Sequence, residues 1–296
     1  MKNKYLVIII SIIVLSSIFF IATKNNSATE TSSGTPIQSH LSYTVKSDSQ
    51  GKMYAVNAPN EYTFSIVDEE GNTLKDFAIT HTKPMHVIVV RKDLAYFQHI
   101  HPLYNSSSGT FTLEDLMFPA DGDYRIFADF AVEGGEMDNM GMPLAITLSQ
   151  DVSVGSMANY EPQELGNEER NKSFEGLQIV LNTHGLLKTR AESMLMFYLS
   201  QNGNPVIDLE QYLGALGHSV ILREGSLDFI HAHPMENLSS SQTGNVDFMV
   251  DFPEPGRYKL FTQFQRNGKV ITSDFVVTVA EGASSDSTVM DMHGMH

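Results

Sequence analysis

The sequence predicts an all-β protein: two tandem β-sandwich domains behind an N-terminal apolar helix. Three features predict it. The chain repeats itself at the spacing that separates His86 from His218. Its apolar residues fall in short β-branched runs cut by turn signals. No helical apolar stripe of useful length appears outside residues 5–22.

Lys2 and Lys4 precede a run from Tyr5 to Ala22 that only three serines interrupt. Its length lies between that of a signal-peptide core and a membrane helix. Cleavage after Ala22 would set Phe20 where a small residue is wanted, which favours an uncleaved anchor over a removed signal. The lysines keep the N-terminus inside, so the rest of the chain is expected outside the cell membrane, tethered by a single pass or secreted. Residues 23–40, rich in Ser, Thr and Asn, read as a flexible stalk in which His40 is solvated.

The first copy reads KPMHVIVVRKDLAYFQHIHP (83–102) and the second ALGHSVILREGSLDFIHAHP (215–234). Upstream, VDEEGNTLKDF (67–77) aligns with LSQNGNPVIDL (199–209). Downstream, FPADGDYRIFADF (118–130) aligns with FPEPGRYKLFTQF (252–264), two residues further offset. Glu70-Gly71, Asn202-Gly203, Asp121-Gly122 and Asn267-Gly268 mark turns. Each unit thus holds about seven short strands, the count of an immunoglobulin-like sandwich. The expected boundaries are 1–22 signal or anchor, 23–40 stalk, 41–157 first domain, 158–172 acidic linker, 173–282 second domain and 283–296 a disordered Met/His tail. Tyr124, Tyr258, Phe127 and Phe261 are expected in the core, or the tyrosines as tyrosine corners, and Arg91 and Arg223 beside the hairpin turns.

A formal charge of −16 argues against nucleic acid as a partner. The absence of cysteine excludes disulfides, thiolate metal sites and thiol catalysis. Transition-metal chemistry, if present, uses His, Met, Asp or Glu.

The two copies place His86, His99 and His101 against His218, His231 and His233, each set followed by proline (Pro102, Pro234). Of the twelve residues between the first and second histidine only Arg91/Arg223 and Phe97/Phe229 match, so the constraint falls on the imidazoles. A two-residue turn at Lys92-Asp93, and at Glu224-Gly225 in the second copy, would set His86 opposite His99 on a hairpin. Strand alternation then returns His101 to the same face. Three neutral imidazoles on one face suit Cu(II), Zn(II) or Ni(II). His81 and His184 lack a histidine at the matching position (Leu213 and Lys52) and read as incidental.

Methionine placement points to copper, with zinc as the alternative. The loop GEMDNMGMP carries Met137, Met140 and Met142, and the chain ends MDMHGMH, with Met292, His293, Met295 and His296 as further candidate ligands. Thioether sulfur prefers Cu(I). Met85 and Met235 flank the histidine sets and read either way; Met194, Met196 and Met249 read as core.

The stretches HVIVVRKDLAYFQHIHP and YLGALGHSVILREGSLDFIHAHP resemble bacterial secreted or membrane-anchored proteins that carry the same His…His-x-His-Pro hairpin on immunoglobulin-like domains. Some of these are associated with heavy-metal or copper handling. The resemblance spans roughly 60–280 and implies an extracytoplasmic location and a metal role. The expected function is copper sequestration or delivery, one three-histidine site per domain, with a metal-transport protein as a possible partner. Two other readings stay open: a metal-free structural or adhesive module, and a metallohydrolase with Glu236 as base. The second has no acidic counterpart within five residues of Pro102.

Overall fold

The computed structural model describes residues 42–49, 51–137, 141–235 and 242–283. The anchor, the stalk with His40, and Met140, Glu236, Met292, His293, Met295 and His296 lie outside the described residues. Among the described residues no helix is long and apolar enough to cross a membrane, and these residues are all-β apart from one 3-10 turn, Met157–Asn159.

The first repeat runs β1 (Thr44–Ser47), β2 (Asn60–Val67), β3 (Phe77–Ala78), β4 (His86–Arg91), β5 (Phe97–Ile100), β6 (Leu103–Asn105), β7 (Thr110–Leu116), β8 (Gly122–Val132) and β9 (Ile146–Val154). The second runs β10 (Asn171–Phe174), β11 (Leu177–Thr183), β12 (Glu192–Gln201), β13 (Asn204–Pro205), β14 (His218–Arg223), β15 (Phe229–Ala232), β16 (Asn245–Asp251), β17 (Gly256–Arg266) and β18 (Lys269–Val279). Each repeat is a two-sheet sandwich. In the first, β1-β2-β7-β6 faces a sheet in which β8 pairs with β4, β3 and β9, and β5 pairs with β4. In the second, β10-β11-β12-β16 faces β15-β14-β17-β18, and the short β13 pairs with β12.

Alternation fills the two cores. Tyr62, Phe64 and Ile66 of β2 point inward against Val87, Val89 and Ile126; Leu195, Phe197 and Leu199 of β12 pack against Ile221, Leu260 and Phe275. Asn202-Gly203 and Asn267-Gly268 take positive φ at both residues, 51° and 78°, then 53° and 71°, the backbone of a type I′ hairpin turn. Tyr124 and Tyr258 are buried and their hydroxyls donate to the carbonyls four residues upstream, Ala120 O at 2.9 Å and Glu254 O at 2.7 Å. Both form the corner bond of such sandwiches.

Met194, Met196 and Met249 are not core residues. They occupy the half-buried outer positions of β12 and β16, where Met194 lies opposite Met249, while Leu195, Phe197, Phe248 and Val250 take the inward positions. The alternation of the strand sets this face.

Both repeats belong to one compact unit, Leu41–His296. A third apolar cluster joins them: Ile88, Val90, Leu94 and Phe127 from the first repeat meet Val220, Leu222, Leu227 and Phe261 from the second. This explains why β4 is buried along its whole length. One face lies in its own sandwich and the other meets the second repeat. The contacts obey a pseudo-two-fold relation. Phe97 stacks on Phe261 with centroids 4.3 Å apart, and its counterpart Phe229 meets Phe127 at 5.0 Å. Arg125 donates to Ser226 O, and its counterpart Lys259 to Leu94 O. The segment between the repeats packs along this seam. Leu165 is buried in the shared cluster, and the Gln163 N–H donates to Asp93 Oδ2 at 2.9 Å.

Candidate metal centre

The hairpin that carries the first triad differs from the expected one. Its connection is four residues long, Lys92 to Ala95, closed by Arg91 N–H to Tyr96 O at 3.1 Å. Leu94 takes a left-handed φ of 62°. Asp93 stabilises the loop by accepting from the Ala95 N–H at 3.0 Å and from Arg91 Nε at 2.8 Å. The longer loop slides the register by two residues, so His99 lies opposite Ile88 rather than His86. Extending that register puts His101 opposite His86. The second hairpin behaves alike: its connection runs Glu224 to Leu227, and His231 lies opposite Val220. A shift of two preserves the face, so all three histidines of each hairpin still share one side. That side is the one turned toward the other repeat.

In the first triad the His86 Nδ1 lies 3.1 Å from His99 Nε2 and 3.2 Å from His101 Nε2. The ligand atoms of the three rings fall within 4.8 Å of one another. The outer nitrogens fix the tautomers. His86 Nε2 faces Thr80 O at 3.1 Å, and His99 Nδ1 faces Gln263 Oε1 at 2.8 Å. A carbonyl oxygen only accepts, so each neutral ring spends its one proton outward. His86 Nδ1 and His99 Nε2 are then both bare lone pairs directed at each other. No hydrogen bond can join them; a cation between them can. Nitrogens bound to one ion at about 2.0–2.1 Å stand roughly 3–3.4 Å apart, which is the spacing found.

The second triad is arranged differently. His231 donates from Nδ1 to Asp129 Oδ2 at 2.7 Å, which leaves its Nε2 bare, and His218 Nδ1 sits 3.1 Å from that Nε2. The His218 Nδ1–H can therefore donate to His231, and His218 Nε2 is left bare. His218 Nε2 and His233 Nε2 are buried with no hydrogen-bond partner among the described residues. His81, read as incidental from the sequence, belongs here. Its ring stacks on His233 with centroids 3.7 Å apart and lies 5.2 Å from His218. The ligand atoms of His81, His218 and His233 lie within 4.8 Å of one another. Seven histidines thus form one cluster, in which His86 and His218 stack at 6.2 Å between the repeats.

Each repeat orients the other's histidine. Asp129 and Gln263 occupy matching positions on β8 and β17, and each is steadied by a threonine hydroxyl, Thr147 at 2.7 Å and Thr272 at 3.1 Å. A partner on the non-ligating nitrogen is the usual way a metal-binding imidazole is aimed. The sequence signal for both is a polar residue two positions after a buried phenylalanine, in the same place in both copies.

Burial, followed by repulsion from neighbouring rings, holds six of these rings deprotonated. His81 and His101 are pushed down to about 4 and His99 to about 3. His86 is also pushed to about 3, and His218 and His233 fall further. Asp129 is buried, which alone would raise its pKa. The hydrogen bonds it accepts, first from His231 and then from Thr147, outweigh that and hold the carboxyl below its ordinary value. These six rings are therefore neutral at physiological pH, the form that ligates metal. A groove of about 500 Å³ borders the first triad, lined by His99 and His101 and by the exposed acids Glu114 and Asp115.

Of the methionines, Met85 is a core residue at 1% exposure and is no ligand. Met137 and Met142 are exposed. They lie on the hairpin after β8, which leaves the sheet beyond Asp129, at the same end as His86.

Sequence comparison assigns the chain to a family. Residues 38–142 and 172–281 match a domain of unknown function (DUF8832), and the chain belongs to that family, carrying the domain twice. No curated protein matches. Among solved structures, E. coli alpha-2-macroglobulin is 12% identical over 81% of this chain, with a TM-score of 0.27, and this chain covers 14% of it. Domains 5–6 of the S-layer protein SbsC are 16% identical over 81% of this chain and 98% of their own, at 0.24. The titin I-band fragment I67–I69 is 10% identical over 80% and 66%, at 0.20. Likenesses at these scores carry no functional argument.

Proposed function

We propose that the protein binds transition-metal ions, copper first and zinc as the alternative, in the histidine cluster between its two repeats, for sequestration or delivery. One observation carries this reading. His86 and His99 have both committed their protons outward, so their bare nitrogens face each other 3.1 Å apart with His101 beside them. A purely structural cluster would place a proton in that gap. Neutral imidazoles without thiolate or carboxylate ligands suit Cu(II) and Zn(II), and the acidic groove at His99 and His101 attracts cations.

Copper is supported further by Met137 and Met142, exposed soft donors at the histidine end of the first sheet, and by the candidate ligands Met140, Met292, His293, Met295 and His296 in sequence. The immunoglobulin-like assignment rests on the short-strand sandwiches and their paired tyrosine corners. Placement outside the cell membrane rests on the apolar run Tyr5–Ala22 and on Lys2 and Lys4 before it. The test is titration of the full-length protein with Cu(II) and Zn(II), beside the double variant His99→Ala/His101→Ala. The variant is expected to lose one ion per chain. Equal stoichiometry in the two proteins removes the reading, and no binding to the parent protein leaves a metal-free structural module.

A further inference from the structure

The second histidine set does not copy the first, and the difference points to a ligand from the other repeat. In the first triad His86 turns its bare Nδ1 toward both His99 and His101. In the second, His231 stands between Asp129 and His218, and the bare, buried nitrogens are His218 Nε2 and His233 Nε2. Those two atoms lie near His81, which comes from the first repeat.

His81 is held there by a turn under backbone strain. Thr80 and Lys83 exchange two hydrogen bonds of 3.0 Å, and His81 and Thr82 between them take φ of 49° and 68°. Left-handed backbone is uncommon for such residues and unfavourable for β-branched Thr. The matching turn of the second repeat has Leu213 and Gly214 at φ of 55° and 85°. The same turn touches the first triad, since Thr80 O accepts from His86 Nε2.

We propose that the second metal site is shared between the repeats, with His81, His218 Nε2 and His233 Nε2 as ligands and His231 as a positioning residue that relays the Asp129 carboxylate to His218. An ion there is bound by both repeats at once and so fastens the seam between them. The first site draws its ligands from one repeat and borders the acidic groove. The two sites are therefore unequal: the first lies beside a route for exchange, and the second is interdomain.

This rests on the metal-binding reading, and the experiment separates the two. The full-length protein and its variants His81→Leu and His231→Gln are loaded with Cu(II). Stoichiometry is read by calorimetry and the coordinated imidazoles of each ion by pulsed electron paramagnetic resonance. Leu213 shows that a leucine fits this turn. With His81→Leu, the second ion is expected to be lost or its affinity to fall at least 100-fold, with the first retained. With His231→Gln, the second ion is expected to keep its imidazole count while its affinity falls about 10–100-fold, as for loss of an outer hydrogen-bond partner. If His81→Leu binds both ions as the parent does, or His231→Gln removes one imidazole from the second ion, the shared site is overturned while metal binding stands. If the parent binds none, the metal-binding reading itself fails.

Discussion

Asp129, in the first repeat, accepts the Nδ1–H of His231, in the second, at 2.7 Å, and both side chains are almost wholly buried. The matching bond in the opposite direction runs from His99 to Gln263. The two bonds are related by the pseudo-two-fold and differ by one charge. An ionised acceptor makes the stronger bond and the more basic imidazole.

Asp129→Ala leaves the His231 donor buried and unpaired. The metal-free protein is expected to lose about 1–3 kcal/mol, and the affinity of the second ion to fall about 10–100-fold, with the first ion unaffected. Asp129→Asn, a neutral acceptor like Gln263, is expected to fall between. Urea denaturation and calorimetric titration check both; equal loss at the two sites contradicts the assignment.

Acid is expected to destabilise the metal-free protein in a window that belongs to the histidines. Their folded pKa values, about 3–4 for His81, His86, His99 and His101, lie below the unfolded value of roughly 6.5. Between these limits the unfolded chain binds more protons, so stability is full above about pH 7 and declines as pH falls through 6.5 toward 4. The urea midpoint should drop between pH 7 and 5, before ordinary carboxylates titrate. A midpoint flat over that range is the contrary result.

Phe261→Ala removes the ring that stacks on Phe97 at 4.3 Å. Truncating a buried phenylalanine costs about 3–5 kcal/mol. Because this ring lies between the repeats, the thermal transition should also broaden or split in calorimetry. A narrower loss with one unchanged sharp transition would show that the seam contributes little.

Tyr124→Phe and Tyr258→Phe each delete one corner hydrogen bond far from the cluster. A loss of about 0.5–1.5 kcal/mol each is expected, with metal stoichiometry unchanged, as read by denaturation and titration in parallel.

The strands, the duplication and the common face of each hairpin's histidines were legible in the residues. The face survived an error in the turn: Lys92-Asp93 looks like a two-residue connection, but Asp93 accepts from Ala95 and Leu94 turns left-handed, which lengthens the loop. A slip of two conserves alternation, so His86, His99 and His101 stay together. The docking of the repeats was less visible, although HVIVVR, apolar on both faces, carries its mark. A strand with one solvated face alternates. His81 carries no mark in the sequence, because the other copy holds Leu213 at the matching position. Comparison between repeats finds what both keep, and His81 occurs in the first repeat alone. Met194, Met196 and Met249 are apolar yet fall on the outer face, because the period of the strand and not apolarity alone sets the side.

X-ray absorption of the full-length protein carrying two equivalents of Zn(II) tests the central claim most directly. The account predicts a first shell of nitrogen at about 2.0–2.1 Å with the outer-shell scattering of imidazole rings, weakened when His99 and His101 are replaced by alanine. An oxygen-only shell, or zinc that leaves on desalting, would contradict it.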